Sequence, residues 1–523
     1  MNVHAGRTDA RLTKKAEVNT MSFPNPDGQK KLDEMSTKLK EHLSDERIDL
    51  LRRYFEAANN FYQIITLKRL FRIINSQNSE TYTEDDFLAY AEITRHERHY
   101  FEIYGLDEIF ERQPESTPIN RLLIHENLLE YNDYVELYSE KQGRAYYVPE
   151  KEVLLKYEDE FYCEQTPQFL AMREFCTKNA KKSDDEVQVA SVVVNPDTGE
   201  VRALTGGIDY AKSQYNRALK SKRQVGSTMK PFLYYAALEN NMTMASTFRS
   251  EETTFNLSNG KTYSPSNAGG IYASKEITMA AALSLSDNIY AVKTNLFLGV
   301  DKMIDVAKRT GINEELQGVA SLPLGTSEIN ILDFATGYNT FATGGYKKDL
   351  YFIRKVTDLD GNVLYEHEDK KDLVINPNYT YILNEALTST TNDAFVDYTT
   401  PTALNISGSL THKYAIKTGS TNTDYWIVGY NPDALVMMWM GYDDNRECDK
   451  SVRNQAKKIW AEVIEDATKD KDDWYETPKN VVAIPLDAVT GNVPKDNNKT
   501  ALYYFVKGSE PGVTPEQYVM SGE

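Results

Sequence analysis

Apolar positions recur at helical spacing through the first part of the chain. Leu32, Met35 and Leu39 open the pattern and Leu50, Leu51, Tyr54, Phe55 and Ala58 continue it. Phe61, Ile64, Ile65 and Leu67 extend it, so residues 31–109 are expected to be helical. Asn75-Ser76-Gln77-Asn78 interrupts the run, and Thr83 with Asp86 is a capping signal for a helix over 87–93. Two short runs, 145–148 and 153–155, predict strands, and 166–176 a helix. From residue 187 the period changes. Val187-Gln188-Val189-Ala190-Ser191-Val192-Val193-Val194, a turn at Asn195-Pro196-Asp197-Thr198-Gly199 and Val201-Arg202-Ala203-Leu204 predict a β-hairpin. Helices and loops follow over 277–346. Strands return at 414–417, 425–429 and 434–440, spaced for antiparallel pairing, before a helix over 451–467. The tail from Thr477 is strand-like, broken by Pro485, Gly491 and Pro494.

Strands at both ends with helices between them describe an α/β chain of the α+β kind, one antiparallel sheet that closes late and is flanked by helices. The polar seam 181–186 is the main boundary. The expected organisation is a mobile N-terminus (1–30), a mainly helical module (31–180), a domain over 187–470, and an extended tail (471–523) packing on that domain.

Composition narrows the function classes. A net charge of −19 over 523 residues argues against a nucleic-acid surface. Three cysteines, Cys163, Cys176 and Cys448, are too few for a disulfide framework; spacing leaves a Cys163–Cys176 pair open beside burial as free thiols. Seven scattered histidines show no metal-ligand spacing, so no metal and no cofactor is expected. No apolar stretch is long enough to span a bilayer, and 1–15 lacks the apolar core of a secretory signal.

The chemistry concentrates in three stretches. In Gly226-Ser227-Thr228-Met229-Lys230-Pro231 a serine and a lysine lie one helical turn apart. Gly226 permits a sharp turn, and Pro231 is tolerated in a first helical turn. The apolar run 232–238 predicts a helix buried almost all round. Lys230 can deprotonate the Ser227 hydroxyl only if burial keeps its amine neutral. Ser286-Asp287-Asn288 falls in a turn between two helical flanks, where Ser286 and Asn288 can face one pocket. Lys417-Thr418-Gly419-Ser420 continues a strand. Lys417 has no acid nearby in sequence, which predicts a fixed positive charge at a cleft, and Gly419 permits close backbone approach. The hydroxyls of Thr418 and Ser420 are placed to hold a carboxylate. Each stretch alone has an ordinary reading as a helix cap, a turn or an edge-strand lysine.

Together and in this order, the three stretches resemble the motif set of penicillin-binding proteins and serine β-lactamases. Segment 223–232 is similar to the active-site stretch of class A, bifunctional penicillin-binding proteins. So are 321–328, 426–430, 441–444 and 505–511. The likeness covers about 187–515, and that stretch is similar to Gram-positive members.

The resemblance implies a serine β-lactamase/transpeptidase-like fold and a D,D-transpeptidase that acylates Ser227 with D-Ala-D-Ala stem peptides and cross-links peptidoglycan. Lys230 would be the base and Ser286 a proton relay. Asn288 would hold the substrate amide. Lys417 would orient Ser286, and Thr418, Gly419 and Ser420 would line the carboxylate site. The N–H groups of Ser227 and Ser420 would form the oxyanion hole. Stem peptides and β-lactams are the implied ligands, and the extracytoplasmic face of a bacterial membrane the implied location.

The N-terminal region departs from the family. Segment 98–107 is similar to part of the family's glycosyltransferase. In that alignment His96 stands at its catalytic glutamate and Glu97 at its aspartate, and the Gly-Gly-Ser-Thr-Ile-Thr-Gln run is absent. Polymerase activity is therefore not assigned, and the N-terminal helices are left as a surface for a protein partner. The alternatives are a non-catalytic penicillin-binding sensor or scaffold and a serine β-lactamase. The latter lacks a convincing glutamate to activate water.

Overall fold

A computed structural model describes residues 26–130, 134–142, 146–159, 162, 186–209, 212–257, 260–357, 362–448, 450–468, 474–494 and 499–512. The chain divides into two compact units, Met1–Glu164 with Val356–Leu364, and Gln165–Lys355 with Tyr365–Glu523. The expected helix over 166–176, Cys163, Cys176 and the seam 181–185 lie outside the described residues.

The first unit is built on α1 (Pro26–His42), α2 (Asp45–Tyr62), α3 (Leu67–Gln77) and α4 (Glu84–Thr94). Helix α1 starts at Pro26, a residue whose fixed φ suits a first helical position, inside the segment 1–30 set apart from the sequence. Thr83 caps α4 as its sequence signalled, accepting from the Asp86 N–H. Leu51, Tyr54, Phe55, Ala58, Phe87 and Tyr90 share one core, with Phe55 edge-on to Tyr90 at 5.1 Å.

Two expectations fail in this unit. The helical pattern over 31–109 is broken by β1 (Ile64–Thr66) and β2 (Phe101–Tyr104), which flank β3 (Leu122–His125) in an antiparallel sheet. Ile64 and Ile65 pair with Ile124 and Leu123. Three residues carry too little periodicity to mark a strand, and the partner that satisfies their backbone lies far along the chain. Conversely, 153–155 is helical: Lys151–Leu154 is an α-turn and Leu155–Glu158 a 3-10 turn, with Leu154 and Leu155 in the unit core. Tyr146, Tyr147 and Val148 form no strand.

The second unit is organised by five antiparallel strands, β4 (Gln188–Val194), β5 (Val201–Thr205), β6 (Ala415–Ser420), β7 (Asp424–Tyr430) and β8 (Leu435–Gly441), in the order β6-β7-β8-β4-β5. The hairpin and late strands read from sequence thus join one sheet, Met437 pairing with Val192 across β8 and β4. Both faces are covered. Val192, Trp426, Val428 and Met437 pack on one side against α5 (Lys230–Glu239), α6 (Met279–Leu285) and α8 (Ile331–Ala342). Val193, Ile427, Val436 and Met438 pack on the other against Val452, Ile459, Trp460 and Ile464 of α9 (Lys450–Thr468). Two-sided burial explains why β7 and β8 read as unbroken apolar runs without alternation. Helix α7 (Asn288–Leu298) follows α6 after a two-residue turn. The tail forms a separate hairpin of β9 (Val481–Asp487) and β10 (Thr500–Val506), whose Val481, Leu486, Tyr503 and Phe505 enter the α5 core.

Candidate active site

The serine sits where a 3-10 turn, Gly226–Met229, runs into α5. Gly226 has φ +58°, which a side chain would resist. The turn is pinned from three directions: the Trp426 indole donates to the Gln224 carbonyl at 2.9 Å, the Thr228 hydroxyl to Val225 and the Tyr338 phenol to Thr228. Every residue of α5 from Lys230 to Leu238 is buried, so the helix is a fixed post holding Lys230 inside the protein.

The second stretch is the turn between α6 and α7. Ser286 caps α6 in the left-handed region at φ 57°, a strained setting for serine that is held by its surroundings. Asp287 does the holding. One carboxylate oxygen caps α7, accepting from the Tyr290 N–H at 2.7 Å. The other accepts from Asn267 at 2.6 Å, Tyr398 at 2.7 Å and the Ser250 hydroxyl. Asn267 also accepts from the Asn288 N–H at 2.8 Å. Burial and the Asp287 charge push the Tyr398 phenol up, keeping it a donor. The sequence reading missed this hub. Its only local signal was an aspartate at an N-cap position; Ser250, Asn267 and Tyr398 carry none.

The third stretch is β6. Lys417 is fully buried, and its Nζ lies 3.1 Å from Ser286 Oγ and 2.7 Å from the Thr418 carbonyl. Lys230 Nζ approaches the same hydroxyl at 3.3 Å, and also the Ser286 carbonyl (2.7 Å), the Asp287 carbonyl (3.1 Å) and Asn288 Oδ1 (2.8 Å). Ser286 Oγ therefore stands between two lysine amines. Burial lowers Lys230 from 10.5 to about 7, with Asp287 acting against it. Lys417 is pushed well below its usual range by burial, then by Lys230 and Lys457. The cation expected at Lys417 is thus opposed by full burial and by a second amine close by, both of which disfavour the charged form.

Ser227, Gln224, Asn288, Leu324, Ser420 and Thr421–Thr423 line one cavity of about 450 Å³. Among the described residues the Ser227 hydroxyl has no hydrogen-bond partner. Asn288 bridges the groups, accepting from Lys230 while its Nδ2 donates to the Ser266 carbonyl at 2.8 Å. Ser420 reaches the cavity, whereas Thr418 stays buried in β6 outside its wall. Thr421 and Thr423 turn their hydroxyls to Asp424.

Gly419 makes the close approach possible. A Cβ there would meet the Val225 carbonyl oxygen at 2.5 Å and the Thr228 nitrogen at 2.8 Å. Likewise, a Cβ on Gly226 would sit 2.8 Å from the Ser420 nitrogen. Turn and strand thus run backbone to backbone. Gly419→Ala is expected to separate them, costing about 1–3 kcal/mol of stability and slowing acylation at least about tenfold. Thermal melts and labelling rates with a fluorescent penicillin check this.

Residues 189–466 match the penicillin binding protein transpeptidase domain family. The chain belongs to that family. Penicillin-binding protein 2D of Bacillus subtilis (strain 168) is 41% identical over 330 residues, 62% of this chain and 48% of that one. Penicillin-binding protein 1A of Aquifex aeolicus is 31% identical over 341 residues, 63% and 45% of the two chains. The chain thus spans about half the length of the curated relatives it matches. Among solved structures, penicillin-binding protein 1A from Haemophilus influenzae superposes with a TM-score of 0.58 at 25% identity, covering 63% of this chain and 55% of that one. The PonA1 protein from Mycobacterium tuberculosis in complex with penicillin V shares the fold, with a TM-score of 0.53 at 22% identity over 71% and 96%. The N-terminal region is not matched to a glycosyltransferase domain, since the family match begins at residue 189. No helix among the described residues is long and apolar enough to cross a membrane.

Proposed function

We propose that the chain is a serine D,D-transpeptidase acting on peptidoglycan stem peptides. The observation that carries the reading is Ser286 Oγ held between Lys230 and Lys417, behind a cavity lined by Ser227, Asn288 and Ser420. In the proposed reaction, neutral Lys230 takes the Ser227 proton as the serine oxygen attacks the carbonyl carbon between two D-alanines. The N–H groups of Ser227 and Ser420 receive the developing oxyanion, a contribution of about 3 kcal/mol in comparable sites. Collapse breaks the C–N bond. The departing D-alanine nitrogen takes its proton through Ser286, which Lys230 and Lys417 flank. A second peptide's amine then attacks the ester, forming the new amide, and the proton it loses returns to Ser227 through Lys230.

Asn288 has one Nδ2 hydrogen left for the substrate backbone after bonding Ser266. Ser420 is the hydroxyl placed for the terminal carboxylate; Thr418, proposed with it from sequence, would act through the strand instead. Penicillin would acylate Ser227 by opening its lactam amide. The substrate places the working chain on the extracytoplasmic face of a bacterial membrane.

Incubation with a D-Ala-D-Ala pentapeptide and a stem-peptide amine, followed by mass spectrometry, is expected to yield the cross-linked dimer. The penicillin ester is expected to persist for hours. Hydrolysed donor without dimer would mean a carboxypeptidase, and ester loss within seconds a β-lactamase. Labelling without peptide turnover would favour a sensor.

A further inference from the structure

The turn that carries Ser286 does not hold itself. Ser286 is in the left-handed region at φ 57°, yet its Oγ is kept 3.1 Å from Lys417 Nζ and 3.3 Å from Lys230 Nζ. A strained residue keeps such a place only where its surroundings over-determine it. The next residue, Asp287, is 1% exposed and supplies the anchor. Neutral donors from three separate segments, Ser250, Asn267 and Tyr398, converge on one of its carboxylate oxygens.

Tyr398 differs from its two companions. Asn267 also accepts from the Asn288 N–H at 2.8 Å, so it serves the substrate-binding side of the turn as well. Ser250 is fully buried in a two-stranded ribbon, Thr247–Ser250 paired with Lys275–Thr278. Tyr398 is half-buried on the loop that precedes β6, and among the described residues it makes no hydrogen bond to Asn288. That loop is braced. The Ser284 hydroxyl of α6 donates to the Ser389 carbonyl at 2.8 Å, and the Thr402 N–H to the Ser284 carbonyl at 3.2 Å. Phe395 is buried in the α5 core. Beside Tyr398, Asp397 pairs with Lys275 at 2.8 Å, and Lys275 stands opposite Ser250 in the ribbon. The phenol therefore reaches Asp287, at 2.7 Å, from a fixed support.

We propose that Tyr398 is a positioning residue for leaving-group protonation: by holding the Asp287 carboxylate it keeps Ser286 Oγ where it can hand a proton to the departing nitrogen, an assignment that rests on the transpeptidase reading. In that step the C–N bond breaks and its electron pair stays on nitrogen, which takes the Ser286 hydroxyl proton. Ser286 takes one in turn from Lys230, which received it from Ser227. An amide nitrogen cannot leave without this proton, whereas the sulfur of a thioester leaves with its electron pair as a thiolate and needs none. Removal of the serine proton by Lys230 is common to both. The contrast between amide and thioester therefore isolates what Ser286 does.

The test uses the full chain, a stem-peptide amine as acceptor, and two donors: an acyl-D-Ala-D-Ala peptide and its analogue with sulfur in place of the scissile nitrogen. Mass spectrometry of the released D-alanine or thiol gives kcat/KM, which reads acylation by each donor. In Tyr398→Phe the amide donor is expected to lose about tenfold or more and the thioester donor less than about threefold. Ser250→Ala takes another donor from the same oxygen; it is expected to move the ratio in the same direction, and it carries the test if the phenylalanine variant does not fold. Tyr475→Phe, which loses a hydroxyl bonded to the Ala342 carbonyl at the end of α8, is expected to leave the ratio unchanged. Equal losses on both donors, no loss on the amide donor, or the same change of ratio in Tyr475→Phe would overturn the assignment. If the unaltered chain turns over neither donor, the transpeptidase reading itself falls, and the assignment with it.

Discussion

A Ser227→Ala chain is expected to form no covalent penicillin adduct at any time or concentration at which the unaltered chain is fully labelled. The loss should be complete, because the alanine has no oxygen to make the ester and no other hydroxyl shares its position. Lys230 and Lys417 both engage Ser286 Oγ, and Ser286 is not among the residues that line the cavity with Ser227. The substitution should leave the fold intact. Ser227 is half-buried, and its hydroxyl has no hydrogen-bond partner among the described residues to lose. Intact-mass measurement reads the adduct, and a thermal melt within about 0.5 kcal/mol of the unaltered chain confirms the fold.

The second large effect is at Lys230. Lys230→Arg keeps a cation at the site but cannot release a proton near neutrality, so acylation is expected to fall about 10²–10⁴-fold. In the unaltered chain the acylation rate should rise with pH, about tenfold per unit below pH 7, and level off above it as the amine, lowered to about 7 by burial, becomes neutral. The same shift has a sign for stability. Between its folded pKa of about 7 and its ordinary 10.5, Lys230 holds fewer protons in the folded chain than in the unfolded one. Stability from this group therefore rises with pH across that window, and the burial cost is fully present below it. Stopped-flow labelling across pH 5–9 (roughly) gives the rate profile, and the arginine variant should lose the rise near 7.

How much of this was legible in the residues follows from what each feature depends on. Ser227, Lys230, Ser286, Asn288 and Ser420 were picked out because three short local stretches (one helical turn, one inter-helix turn, one strand end), taken together and in order, resemble a known motif set. The sheet was legible because Val192, Val428 and Met437 belong to apolar runs bounded by turn residues. Asp287 was read only as the middle of a triplet. Its donors Ser250, Asn267 and Tyr398 come from three separate segments and meet only in the fold. The downward push on the Lys417 amine was likewise beyond sequence reading, because burial and the nearness of Lys230 are tertiary facts. In the first unit, Ile64 and Ile65 satisfied a helical template as well as a strand, and pairing with β3 decided between them.

The most direct measurement is peptide mapping of the penicillin-treated full chain. A single adduct, one penicillin mass on the peptide containing Ser227 and on that residue's oxygen, is the expected result. An adduct on any other residue, or none on a folded chain, would contradict the proposed convergence of Ser227, Lys230, Ser286 and Lys417 on one acyl carbon.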